Sequence, residues 1–214
     1  GGQLSYRAQD RAQEALGHVH PDINEAKIVA SYHQTCRYHQ LTLAQLQAGE
    51  ALSALPDARA EAGRDFIRWA SEDLKIYARE CYDRETGTFV ARMTDGTPIR
   101  WKEAKTGYYV PESFAPRKPD GMLLWASALA YRLTGDPEHL KMARDVLEQL
   151  APERSRSWMA IYALLEIHRA TKEDRYLKSA CGVADNVLAL QHASGLFPRE
   201  GRDYARTGDE APLA

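Results

Sequence analysis

Apolar residues recur at helical spacing along most of the chain, with charged residues on the opposite faces. The first and longest stretch opens at a turn formed by Pro21 and Asp22, and the second ends near Tyr82. The pattern predicts helices over 22–54, 57–82, 121–134, 137–150, 156–170 and 175–191. We therefore expect a mainly all-α fold.

The last four predicted helices form two copies of one unit. The stretch AYRLTGDPEHLKMARDVL begins at Ala130, and the similar stretch IHRATKEDRYLKSACGVA begins 37 residues later. Gly135 suits a left-handed helix stop, and Pro137 suits the first turn of the helix that follows. A period of this length is typical of stacked helical hairpins, arranged as an open solenoid or as a closed α/α toroid. We expect one helical-repeat domain over residues 1–214.

One insert, residues 84–119, interrupts the helices. Turn signals at Thr86-Gly87 and Asp95-Gly96 predict a small β-hairpin or a pair of short strands. A loop rich in prolines, rings and basic side chains follows. Aromatic rings can stack on sugar faces, and guanidinium groups pair with carboxylates in a fork. The insert is thus predicted to contact an acidic sugar polymer, although a loop that covers the core with its rings has the same composition.

Charge and composition exclude several classes of partner. The 214 residues carry a net charge of -2, so general attraction to nucleic acid or to an anionic membrane is not expected. No apolar run approaches the roughly 18 residues of a membrane helix. No signal-peptide pattern is present, so periplasmic, secreted and cytoplasmic locations all stay open. The separated Cys36, Cys81 and Cys181 are predicted to be small core residues.

Motifs for other chemistry are absent or weak. There is no Gly-rich phosphate loop, G-x-S-x-G or H-E-x-x-H, which disfavours nucleotide-driven and serine hydrolase chemistry. His18 and His20 form an H-x-H that could bind a metal, or could be surface histidines at a helix end. Trp125 and Trp158 are expected to pack in the core rather than to stack on sugars, and His168 is expected to be half-buried with a partner.

Four segments together resemble the catalytic module of family 2 pectate lyases. They are TDGTPI, TGYYVPESFAPRKPDGMLLWASALAYRLTGD, MARDVLEQL and GLFPREGRDYAR, and the resemblance covers roughly residues 60–214. It implies an α/α toroid that cleaves polygalacturonate by β-elimination. A divalent metal (Ca²⁺ or Mn²⁺) would neutralise the substrate carboxylate, and an arginine would remove the C5 proton. The implied partner is an acidic polysaccharide or oligosaccharide.

Within this resemblance, Arg117 and Tyr109 are the candidate catalytic residues. Substrate contacts are expected from Tyr108, Lys118, Trp101, Glu112, His33 and Arg199. The metal-ligating His and Glu residues of the family lie in N-terminal halves, so they cannot be transferred to residues of this chain. His18 and His20 are metal candidates on their H-x-H spacing alone. The chain has fewer helix pairs than a closed toroid needs. We therefore expect the C-terminal part of a larger toroid, completed by the missing remainder or by a second copy.

Two other functions stay open on the residues alone. An α/α-toroid glycoside hydrolase acting on uronyl oligosaccharides needs two carboxylic side chains, for which Glu112 and Asp120 are candidates. A non-catalytic helical-repeat binding module needs neither.

Overall fold

The computed structural model describes residues 32–90 and 115–198, with side chains from residue 39 onward. The chain divides into two compact units, the first ending at Pro119 and the second beginning at Asp120. Within the described residues no helix is long and apolar enough to cross a membrane.

The first unit is built on a helical hairpin of α1 (Tyr32–Ser53) and α2 (Arg59–Glu80), which pack on each other. Both helices were predicted, and α2 begins two residues later than the sequence indicates. One face of each is apolar, so burying these faces together removes both from water. The buried apolar side chains at the centre of the pair are Leu43, Leu46, Ala70, Leu74 and Tyr77.

Two glycines set how closely α1 and α2 approach. A Cβ on Gly63 would lie 2.4 Å from the backbone nitrogen of Ser53 and 2.7 Å from the carbonyl oxygen of Gly49. A Cβ on Gly49 would lie 2.9 Å from the carbonyl oxygen of Gly63. The obstructing atoms belong to the backbone, so a side chain here would force the helices apart.

A two-stranded antiparallel sheet follows α2. Strand β1 (Tyr82–Asp83) pairs with β2 (Thr88–Phe89), with Tyr82 opposite Phe89. The Asp83 carboxylate accepts from the backbone N–H of Glu85 at 2.9 Å, and Gly87 adopts a φ of 64°. A small β insert is confirmed, with strands of two residues each around the predicted turn at Thr86-Gly87. The predicted turn at Asp95-Gly96 lies outside the described residues.

The second unit contains α3 (Gly121–Thr134), α4 (Pro137–Leu150), α5 (Trp158–Thr171) and α6 (Asp174–Leu188). Helices α3 and α5 pack on each other, while α4 packs on α3 and α6 packs on α5. Helices α3 and α5 are apolar on almost every side. Helices α4 and α6 each bury one side and expose the other. The prediction of a mainly all-α fold with a small β insert is confirmed.

The turns that join these hairpins repeat in atomic detail. Gly135 ends α3 at φ 71°, and Lys172, 37 residues later, ends α5 at φ 60°. The Thr134 hydroxyl donates to the carbonyl of Ala130 at 2.7 Å, and the Thr171 hydroxyl donates to that of Ile167 at 2.9 Å. Each hydroxyl also accepts a backbone N–H from two residues further on, at 3.2 and 3.3 Å. The predicted repeat unit is therefore confirmed by its hydrogen bonds.

Two single-residue predictions have different outcomes. His168 is half-buried, and its Nδ1 lies 3.2 Å from the carbonyl oxygen of Glu173, as expected of a histidine with a partner. Cys81 is buried at 1% exposure, but the prediction of a core position for Cys181 is wrong because this residue is exposed. Its helix buries the neighbouring stripe of Tyr176, Ala180, Val183 and Val187.

Substituting Gly63 tests the close helix crossing. Gly63→Ala should lower the free energy of unfolding by about 1–3 kcal/mol, because the added methyl meets backbone. Gly182→Ala is the matched control: Gly182 lies inside α6 with nothing within 4 Å of a Cβ, so the change should stabilise the chain by about 0.5–1 kcal/mol. Chemical denaturation followed by circular dichroism measures both. Equal effects of the two changes would contradict the crossing described here.

Candidate functional site

Arg117 is held by its backbone against the hairpin of the first unit. It accepts the Phe89 N–H at 2.7 Å and donates its own N–H to the Phe89 carbonyl at 3.0 Å, forming an isolated antiparallel bridge. Phe89 is 6% exposed, whereas the Arg117 side chain is exposed. The guanidinium is thus presented to solvent from a backbone that is fixed to the core.

The local sequence explains why Arg117 takes this position. Pro116 and Pro119 lack an N–H, so they cannot complete a two-bond bridge. Pro119 is buried, and Lys118 between it and Arg117 is exposed. Flanking prolines also restrict the backbone of the pair, as the sequence indicated. The structure therefore places both basic side chains at the surface and fixes the backbone of Arg117 by hydrogen bonds.

Beneath the bridge lies a cluster of rings. The Phe89 ring centroid lies 5.1 Å from that of Tyr82 and 5.9 Å from that of His39, which lies 5.9 Å from that of Tyr77. Burial raises the pKa of the Tyr77 phenol well above its ordinary value, so this group stays neutral at neutral pH. The backbone bridge of Arg117 is therefore supported by these packed rings, which we call the aromatic floor.

Asp120 has a structural role that accounts for its presence. Its carboxylate accepts the backbone N–H of Leu123 at 3.0 Å and so caps the N-terminus of α3. This is a common position for aspartate at a helix start and needs no catalytic explanation. The carboxylate that a hydrolase mechanism would require is therefore occupied in capping.

A second acidic group is also used in packing. Glu166 on α5 is 7% exposed and forms ion pairs with Arg132 on α3 and with Arg169, the latter at 3.1 Å. Arg132 and Arg169 are 37 residues apart, so one buried carboxylate joins equivalent positions of two repeats. Burying a carboxylate requires such partners. Glu166 thus ties α3 to α5.

Most of the residues predicted for the site lie outside the described ranges. This holds for the ring and acid candidates of the insert and for the distant basic and histidine candidates: Trp101, Tyr108, Tyr109, Glu112, Arg199, His18 and His20. His33 lies in the first turn of α1, but its side chain is not described. Their assignments stay predictions, and of the predicted set the structure places only Arg117 and Lys118.

A metal site is not formed by the side chains described here. Among residues 39–90 and 115–198, no group of three or more His, Cys, Asp or Glu side chains could hold a metal ion. Such a group is the usual minimum for a bound divalent cation.

Sequence reasoning did not single out Tyr162. Its ring stacks on that of Trp125 at a centroid distance of 4.7 Å and an interplanar angle of 12°. The two residues are 37 positions apart, so the repeat itself was the signal that pairs them. Trp158 contacts both rings. The two tryptophans, for which a core position was expected, are half-buried and pack on each other.

The anchoring of Arg117 makes a prediction about stability. Arg117→Ala should change the free energy of unfolding by no more than about 0.5 kcal/mol, because the bridge uses only backbone atoms and the side chain is exposed. Phe89→Ala should cost about 3–5 kcal/mol, since it empties the aromatic floor. Urea titrations of both variants would test this. A large loss of stability in the arginine variant would show that its side chain, and not its backbone, holds the segment.

The family model described as periplasmic pectate lyase matches residues 4–214, which includes Arg117 and all six described helices. The resemblance inferred from sequence segments is thereby confirmed, and it extends further toward the N-terminus than those segments did. The chain belongs to the periplasmic pectate lyase family, whose members are lyases of pectate, an acidic polysaccharide.

Proposed function

We propose that this protein cleaves pectate by β-elimination and that Arg117 contacts the galacturonate unit at the cleaved bond. The family supplies the reaction class. The observation that supports the residue assignment is the pair of backbone hydrogen bonds between Arg117 and Phe89, which fixes the backbone from which an exposed guanidinium extends. An arginine whose backbone is already ordered loses less backbone conformational freedom on binding substrate than one on a mobile loop does.

The chemistry requires a cation near the carboxylate and a base near C5. The base removes the C5 proton, the electron pair of that bond forms the C4–C5 double bond, and the C4–O bond breaks. The glycosidic oxygen leaves and takes up a proton. Positive charge beside the uronate carboxylate stabilises the negative charge that develops during proton removal.

Arg117 is the arginine that we propose as the base. An arginine in water is effectively always protonated, and this side chain is exposed in the substrate-free protein. Proton removal by Arg117 therefore requires that bound substrate exclude water from it, since desolvation favours the neutral form. Lys118 is the proposed second contact for the polyanion, and Tyr109 is the proposed proton partner within the undescribed part of the insert.

A divalent cation stays a prediction. His18 and His20 are its proposed ligands, and the described residues offer no ligand set. The family's description also leads us to propose a periplasmic location. When bound, the metal would supply the positive charge beside the carboxylate, and no step above depends on the location.

The direct test is incubation of the protein with polygalacturonate, with Ca²⁺ or Mn²⁺ supplied, across neutral to alkaline pH. The unsaturated product is conjugated, so ultraviolet absorbance should rise with time. Reducing ends that appear without this absorbance would indicate hydrolysis. Either that result or no product at any pH would refute the proposed reaction.

Two substitutions test the role of Arg117. As the base, Arg117→Ala should lose about 10²–10⁴-fold in kcat. Arg117→Lys should retain part of the activity and move the pH optimum downward, because a lysine side chain loses its proton at lower pH than an arginine side chain does. Arg59→Ala, which removes an exposed arginine paired with Asp57, is the control and should leave kcat unchanged. A rise in KM with unchanged kcat in Arg117→Ala would make Arg117 a binding residue and not the base.

A further inference from the structure

Three aromatic rings gather at one end of the second unit. Trp125 lies in the second turn of α3, and Trp158 and Tyr162 lie in the first two turns of α5. Trp125 and Tyr162 are stacked at 4.7 Å, and Trp158 lies 5.9 and 6.0 Å from them at angles of 81° and 88°. Because Trp158 is equally distant from both stacked rings and perpendicular to them, it lies beside the stack and covers neither outer face.

The repeat brings the rings together. A Cβ on Gly121, the first residue of α3, would lie 2.6 Å from the Ser157 hydroxyl and 3.0 Å from the Cβ of Met159. The N-terminal ends of the parallel helices α3 and α5 therefore touch. Gly121 and Trp158 are equivalent positions of two repeats, so a large ring is present on only one of the two helix ends.

These rings differ from the apolar core of the same helices. Leu123, Leu124, Leu164 and Ile167 are at most 2% exposed, whereas all three rings are half-buried. The Nε1–H of Trp125 is enclosed with no hydrogen-bond acceptor among the described residues. Leaving an indole N–H without an acceptor lowers stability, and a phenylalanine at this position would avoid it. Folding alone therefore does not explain why indole rings, and not phenyl rings, lie half-buried at this end.

We propose that Trp158, supported by Trp125 and Tyr162, is a stacking platform for a galacturonate unit of the polysaccharide, separate from Arg117. A large half-exposed indole supplies the apolar surface that the C–H face of a sugar ring contacts. The first turns of α3 and α5 contain no acidic residue. The N-terminus of α5 has no side-chain cap, so its positive end can attract the carboxylates of the chain, whereas the N-terminus of α3 is already capped by the Asp120 carboxylate. This platform adds a second contact to the proposed function and does not require that cleavage occur.

The platform is tested by calorimetric titration with galacturonate oligomers. Trp158→Ala should weaken binding on the order of tenfold, while Trp158→Phe, which keeps a ring, should stay within about threefold of the wild-type Kd. Trp69→Ala is the matched control, since Trp69 is a half-buried tryptophan of α2 that contacts Phe66 at 6.2 Å in the other unit. It should leave Kd unchanged. Wild-type affinity in a folded Trp158→Ala protein would overturn the proposal, as would equal affinity of the wild type for neutral galactose oligomers.

A second measurement works without any substitution. Oxidation of tryptophan by N-bromosuccinimide, located by mass spectrometry, should modify Trp158 in the free protein and be suppressed by saturating galacturonate oligomer. Oxidation at an unchanged rate under saturation would refute the platform. Protection of Trp158 with no unsaturated product would leave the platform standing and refute the lyase reaction, and cleavage without protection would do the reverse.

Discussion

The packing of α3 on α5 determines the form of the second unit. Both helices are apolar on nearly every side, so neither is stable in water without neighbours around it. Helix α3 therefore packs on the amphipathic α4, and α5 packs on the amphipathic α6. The two resulting hairpins stack on each other, and equivalent residues are 37 positions apart in the sequence. The buried Glu166 between Arg132 and Arg169 adds a polar tie to this interface. The close contact at Gly121 brings the helix ends together, and that contact assembles the aromatic platform.

A different constraint governs the first unit, where a non-local backbone bridge positions Arg117. The bridge joins residues 28 positions apart and has the Phe89, Tyr82 and His39 rings beneath it. A chemically active side chain is commonly found on a loop that a rigid element supports. In the proposed function Arg117 follows that rule, with a hairpin of only four strand residues as the support. An exposed side chain and a hydrogen-bonded backbone are combined at this residue.

Local patterns in the sequence predict the helices and the repeat with good accuracy, because they depend on nearby residues. Gly135 and Pro137 mark the α3–α4 turn, and the structure confirms both. Lys172 is not a residue type that indicates a left-handed helix end, yet it adopts the same conformation as Gly135. The preceding Thr171 forms the same hydrogen bond to a backbone carbonyl as Thr134 does. The core position predicted for Cys181 was wrong because the buried stripe of α6 runs through its neighbour Ala180.

Contacts between distant residues were not predictable in the same way. The sequence indicated a stiff Arg117-Lys118 pair, but it did not identify Phe89 as the partner, since strand pairing across a long insert depends on the closure of that insert. The aromatic platform was not predicted either, because it also depends on contacts between residues that are distant in the sequence. Trp125 and Trp158 fit helical stripes that read as core, and only the stacking of two repeats shows that they and Tyr162 meet at a half-exposed helix end.

In the proposed function, this pectate lyase family member contacts its acidic substrate both at the Arg117 segment and at the aromatic platform. Hydrogen–deuterium exchange of the backbone amides, with and without a saturating galacturonate oligomer, tests both contacts in one experiment. The account predicts slower exchange in peptides that cover residues 115–119 and 156–162, with no change in residues 41–53 of α1. Saturated binding with unchanged exchange in both of the first two peptides would contradict it.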